Sequence, residues 1–283
     1  EGISVKFPRW LLIPIVLILL CFAAAVLLMC TSPGVPVLNY HQVEDKDGNP
    51  LTLYCDQFDQ QMAYLAEEGY HTITLDEMMD AAENGTPLPE KPVVITLDDG
   101  YVDNYEYAYP ILKKYGFKAT IFLINDFTGV YPNYLTWEQI HEMQDSGLID
   151  FESHTMTHAN LSELTSRDEL HHEIADSREL LSKKLGKEID YIAYPGGRVT
   201  DAVEEVTRDA SYRGAFTVHY GLSTPTEGVY QMDRIPIFGC NTHTMTRFKL
   251  RLAFAPLIAP FEDLRLTLRT WGLALIGNYL PIP

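Results

Sequence analysis

The chain of 283 residues carries 39 acidic against 21 basic side chains, a net charge of −18 near neutral pH. A surface of that sign argues against nucleic acid as a partner and is compatible with a glycan. With 46% hydrophobic and 21% charged residues, the chain can bury one large core of barrel size, and its main body is not intrinsically disordered.

Residues 10–30 form an uncharged apolar run of 21 residues, long enough at about 1.5 Å per residue to cross a bilayer. Lys6 and Arg9 precede it. The positive-inside bias then makes residues 1–9 a cytoplasmic tail and residues 10–30 an uncleaved transmembrane signal anchor, with the remaining chain extracytoplasmic at the cell membrane. Cys21 and Cys30 lie inside this run, so Cys55 and Cys240 are the pair that an oxidising exterior could join, but two buried free thiols fit better, because no dense cysteine framework is present and a core of this size needs no staple.

From residue 35 to 245 strand-like and helix-like runs alternate. Phe58, Met62 and Leu65 are spaced for a helix, 72–74 for a strand, 75–82 for a helix and 93–97 for a buried parallel strand. Residues 105–115 follow as a helix carrying Pro110, 119–123 as a strand, 137–145 as a helix and 149–151 as a strand. Ser166 and Glu169 form a capping box for a long helix reaching Leu185, and 191–193 and 215–218 supply later strands. This repeated order favours a parallel α/β barrel over a sandwich. Residues 246–283 form a basic amphipathic tail: Arg247, Lys249, Arg251, Arg265 and Arg269 face only Glu262 and Asp263, while Leu264, Leu268, Trp271 and Leu275 keep helical spacing. Such a tail either lies along an anionic membrane or closes an open edge of the barrel.

Two segments at strand ends carry chemistry. Thr96-Leu97-Asp98-Asp99-Gly100-Tyr101 puts two carboxylates where a strand stops, the position at which barrels collect ligands and catalysts. Successive strand side chains point opposite ways, so the pair divides naturally between a metal ligand and a proton acceptor. Ser153-His154-Thr155-Met156-Thr157-His158 supplies two imidazoles four apart, which converge on one helix face or in a tight loop. One carboxylate and two imidazoles leave a coordination position open, as hydrolytic zinc sites require, and water bound there approaches a pKa of about 7. The histidine segment lacks the glutamate of His-Glu-x-x-His, which disfavours a zinc protease.

At these residues the chain resembles the polysaccharide deacetylases, the NodB-homology group also called carbohydrate esterase family 4, over about residues 35–245. The family's Thr-Phe-Asp-Asp-Gly-aromatic motif is matched with Leu97 for Phe, and its His-Ser/Thr-x-x-His motif by His154 to His158. The resemblance implies a distorted parallel (β/α)7-type barrel and a hydrolase that removes acetyl groups from an N-acetylated cell-surface polysaccharide, of peptidoglycan or poly-N-acetylglucosamine type. It also implies one divalent metal ion, zinc with cobalt or nickel as substitutes, held by Asp99, His154 and His158, with Asp98 as base.

The family's third motif looks like Ala193-Tyr194-Pro195-Gly196-Gly197, which read alone is a Pro-Gly turn. The arginine that often braces the base is absent from it, and Gly196 stands where a tyrosine donates its backbone amide to an oxyanion, a donor that glycine retains. Tyr101 and Tyr194 are candidate substrate or supporting groups. Val35-Pro36-Val37-Leu38-Asn39-Tyr40-His41 resembles the opening strand of the poly-N-acetylglucosamine deacetylase branch, whose early histidine is the general acid. That makes His41 the candidate acid and His243 its rival. Asp233-Arg234-Ile235-Pro236-Ile237 resembles the family's Arg-Ile-x-Val strand, where Arg234 either steers a catalytic group or forms an ordinary ion pair. The missing arginine keeps open an alternative, an inactive glycan-binding protein on the same fold.

Overall fold

The computed structural model describes residues 34–45, 50–239 and 244–271, with isolated positions between 13 and 27. Its strands in chain order are β1 (Val37–Tyr40), β2 (Gln42–Val43), β3 (Thr52–Leu53), β4 (His71–Thr72), β5 (Pro92–Leu97), β6 (Ala119–Leu123), β7 (Ile149–Ser153), β8 (Tyr191–Ala193), β9 (Gly214–Tyr220) and β10 (Met232–Pro236). Strands β5 to β10 lie side by side in parallel, and β1 pairs β10 on one edge and β5 on the other. Seven parallel strands therefore close into a barrel, as the alternating pattern implies. Strand β4 adds to the start of β5 through His71↔Pro92, and β2 pairs β3 separately.

The helices are α1 (Cys55–Glu67), α2 (Leu75–Asn84), α3 (Tyr109–Tyr115), α4 (Trp137–Asp145), α5 (Arg167–His171), α6 (Ser177–Leu185), α7 (Asp201–Asp209), α8 (Met245–Ala253) and α9 (Ala255–Thr270). Covered by helices outside and side chains inside, β5 is buried from Val93 to its end, which explains its unbroken β-branched run. Phe122 and Phe216 meet inside the core with Val37, Val94 and Ala193, and Met78 and Met79 of α2 join the same cluster.

Three elements differ from the sequence expectation for identifiable reasons. Strand β4 stops at Thr72, because Thr74 is the cap of α2, its hydroxyl accepting from the Glu77 amide while Glu77 returns a bond to the Thr74 amide. The helix expected over 105–115 opens as a π-helical turn, Asn104–Ala108, and only then becomes α3, with Pro110 in the first turn where its missing N–H costs nothing. The helix beginning after Ser166 is likewise interrupted by a π-turn at His172–Asp176, which carries a buried Glu173 inward.

Residues 34–255 form one compact unit. Within it α8 packs Phe248 edge-on against Tyr64 of α1 at 6.1 Å and lays the Arg251 guanidinium 4.4 Å from the Tyr220 ring. The start of the basic stretch is thus part of the barrel unit and does not hang free as a tail. Residues 1–33 with 256–282 make a second unit, whose helix α9 carries Pro260. The expected anchor falls mostly outside the described residues; its described positions are helical and exposed, and no helix among the described residues is long and apolar enough to cross a membrane. Cys240 and His243 also lie outside the described residues, while Cys55 carries a free thiol.

Candidate active site

Strand β5 ends at Leu97 and the chain turns at once. The Asp98 amide still donates to the Tyr40 carbonyl at 2.9 Å, but Asp99 and Gly100 adopt left-handed φ angles of 76° and 73°. A Cβ on Gly100 would lie 2.7 Å from the Leu123 side chain, so the Asp-Gly pair is needed for the turn itself. The turn gives adjacent carboxylates different surroundings.

Asp98 is buried and fully partnered. Its Oδ1 accepts from Arg234 Nη1 at 2.8 Å, and its Oδ2 accepts from Arg234 Nη2 at 2.7 Å and Asn39 Nδ2 at 2.9 Å. Arg234 comes from β10, is itself fully buried, and donates its Nε to the Thr217 carbonyl at 2.8 Å. The arginine missing from the third motif is therefore replaced by one on another strand, in bidentate geometry. Burial alone would raise the Asp98 pKa, but the Arg234 charge, helped by His154, overcomes it and holds this carboxyl well below the usual carboxylate range.

Asp99 has no such satisfaction: its Oδ1 is buried without a hydrogen-bond partner. Facing that oxygen are His154 Nε2 at 3.3 Å and His158 Nε2 at 3.4 Å, and one donor atom from each residue lies within 4.8 Å of the others. His154 Nδ1 lies 2.7 Å from the Ala193 carbonyl, which can only accept. Nδ1 therefore carries a proton, which anchors that nitrogen and leaves Nε2, the atom facing Asp99, as the one that would ligate a metal. An orphaned carboxylate oxygen and two imidazole nitrogens at one point fit a divalent cation. His158 is 40% exposed at its side chain, leaving that side of the cluster open, whereas His154 is buried.

The two histidines converge through a loop and not a helix. Thr155 and His158 both take left-handed φ, 71° and 64°, which for the β-branched Thr155 concentrates strain beside the ligands. The loop is pinned by Glu173 of the π-turn, which accepts from the Thr157 amide at 2.9 Å and from the Thr157 hydroxyl at 2.5 Å. The Asn125 and Asp126 amides bond the Thr155 and Met156 carbonyls on the other side.

His41 follows β1 directly, with Nε2 4.0 Å from Asp98 Oδ2. Burial lowers its pKa below the ordinary imidazole value, in part offset by Asp98 and Asp99. Its backbone carbonyl accepts from Asn104 Nδ2 at 2.9 Å; Asn104 also bonds Asp103, which accepts from the Val43 amide at 3.1 Å. Burial pushes the Asp103 carboxyl up to about 7.

The other candidates are placed as follows. Gly196 sits at φ 63° in the short turn Pro195–Gly197 after β8, three residues beyond the carbonyl that anchors His154. Tyr194 is fully buried, its hydroxyl 3.2 Å from Thr207 Oγ1 of α7, so it supports the turn and does not reach a substrate. Tyr101 stacks on Tyr134 with centroids 5.0 Å apart. Asn39, Asp103, Asn104 and Glu173 were not singled out in the sequence; an Asn inside the apolar run Val37-Leu38-Asn39-Tyr40 was the one available signal, because a buried amide demands a partner.

A family model described as polysaccharide deacetylase matches residues 85–215. YxkH of Bacillus subtilis (strain 168), whose name places it in the same group, is 37% identical over 202 residues, covering 71% of this chain and 71% of YxkH. The chain belongs to the polysaccharide deacetylase family. Members of this NodB-homology family are hydrolases acting on N-acetyl amide bonds. The chain is also similar to the poly-beta-1,6-N-acetyl-D-glucosamine N-deacetylase of Staphylococcus epidermidis, at 30% identity over 225 residues, 70% of this chain and 77% of that enzyme. Among solved structures, deacetylase PplD of Streptococcus pyogenes superimposes with a TM-score of 0.70 at 30% identity, covering 83% of this chain and 98% of PplD. IcaB from Ammonifex degensii does so with 0.69 at 28% identity, covering 80% and 98%.

Proposed function

We propose that this polysaccharide deacetylase is metal-dependent and removes acetyl groups from a poly-N-acetylglucosamine-type cell-surface polysaccharide. The observation that carries the reading is the meeting of Asp99, His154 and His158 around one buried, unpartnered carboxylate oxygen, beside a second carboxylate braced by arginine. The relatives named for poly-N-acetylglucosamine support the substrate class. A divalent ion held by those three residues, with zinc favoured by the donor set, would polarise the acetyl carbonyl and acidify the attacking water.

The remaining steps belong to the chain's own side chains. Asp98, ionised and fixed by Arg234 and Asn39, takes a proton from the attacking water. The Gly196 amide supplies a backbone donor to the tetrahedral oxyanion. His41, whose Nε2 lies 4.0 Å from Asp98 Oδ2, acts in its imidazolium form and delivers a proton to the departing nitrogen, which as a free amide anion would be a prohibitive leaving group. An inactive glycan binder is disfavoured, since Arg234 supplies the brace whose absence motivated it.

Acetate release from N-acetylglucosamine oligomers tests the reading. Chelator treatment should stop it and zinc, cobalt or nickel restore it; undiminished release from Asp99→Ala in chelator would refute it. The uncharged run at 10–30 is proposed to tether the enzyme outside the cell membrane, so that full chain pellets with membranes and residues 34–283 do so less.

A further inference from the structure

The loop joining β6 to α4 is clasped onto the turn that carries Asp99. The Val102 amide donates to the Asn133 carbonyl and the Leu135 amide to the Gly100 carbonyl, both at 3.0 Å, while Tyr101 and Tyr134 form an antiparallel bridge. An aromatic path leads outward from there: Tyr101 stacks on Tyr134 at 5.0 Å, and Tyr134 meets Phe127 at 5.0 Å and Tyr131 at 6.3 Å. At its outer end Tyr131 is 50% exposed and Val130 67% exposed, in a loop otherwise well ordered by its own bonds. The Tyr131 amide donates to the Phe127 carbonyl at 3.2 Å, and Thr128 Oγ1 to the Ile124 carbonyl at 2.8 Å. A rigid, half-exposed tyrosine backed by two rings and continuous with a reaction centre needs an amphipathic, flat-faced occupant. A pyranose ring is one, with C–H bonds across its face and hydroxyls around its rim, which match an aromatic face and a phenol.

We propose that Tyr131, backed by Tyr134 and Phe127, is a stacking platform for a sugar unit of the polymer that lies beyond the immediate neighbour of the one whose acetyl group is removed; this rests on the glycan deacetylase reading above. Units seated there hold the chain in register over the metal ligands, so the platform favours polymers over short oligomers.

Calorimetric titration of the full chain with glucosamine dimer and hexamer, which have no acetyl group to lose, provides the test at constant protein charge. Tyr131→Ala should weaken the hexamer about tenfold and leave the dimer unchanged, with Tyr131→Trp retaining wild-type affinity. Acetate release from the N-acetylated hexamer should fall in parallel, and from the dimer should not. Equal hexamer affinity in wild type and Tyr131→Ala overturns the platform, as does a wild type that holds the hexamer no tighter than the dimer. Loss of binding to anionic vesicles with glycan binding intact also overturns it, making the patch a membrane contact. Tyr131-dependent hexamer binding by a wild type that releases no acetate supports the platform and overturns only the deacetylase reading.

Discussion

Asp98 and Asp99 are neighbours in the chain and opposites in the fold. Every oxygen of Asp98 is bonded, to Arg234 and Asn39, whereas one oxygen of Asp99 faces two imidazoles with no hydrogen bond at all. A closed, neutralised carboxylate has its bonding complete; an incomplete one keeps a lone pair to offer, the property a cation ligand needs. The difference goes with the turn at Asp99 and Gly100, both left-handed, which leaves two identical side chains facing different partners.

The comparison can be broken from the open side first. Asp99→Ala or His154→Ala should lose turnover altogether and lose bound metal by elemental analysis, while unfolding by denaturant stays cooperative. His41→Ala, which touches no ligand, should slow acetate release by about 10²-fold or more and keep the metal. Breaking the closed side has a different signature: Arg234→Met leaves Asp98 as a buried, uncompensated charge and should cost about 3–5 kcal/mol of stability. The acid dependence sharpens this. Because the folded Asp98 pKa lies below its ordinary 3.8, its contribution is fully present above that value and is lost as pH falls through the lower, folded one. Denaturant curves at neutral and acid pH should show that loss in wild type and not in Arg234→Met. The smallest effect belongs far from both carboxylates: Thr74→Ala removes the cap of α2 and should cost about 1 kcal/mol with activity unchanged.

Much of this was legible in the sequence because it depended on local pattern. The strand at 93–97, the helix at 137–145 and the apolar spacing of Phe58, Met62 and Leu65 are set by burial periodicity, and all appear as read. Asp98, Asp99, His154 and His158 are brought together as their strand-end positions suggested. What the pattern could not show was pairing at a distance. Arg234 stands 136 residues from Asp98, and nothing local distinguishes a brace from a surface ion pair. The π-turns were equally hidden, since one extra residue in a helix leaves hydrophobic spacing nearly intact while moving Glu173 under the ligand loop. Helix α7 was missed although Thr200, Val203 and Val206 announce a cap and a buried face.

The barrel closes on β1, the first of the described strands in chain order, which takes as neighbours both β5 and β10, the last of them. Closure must wait until nearly the whole domain has been synthesised, and only then can Arg234 reach Asp98. A polypeptide that stalls before residue 234 keeps Asp98 without its counter-charge, so this buried carboxylate is compensated only when the closing strand is in place.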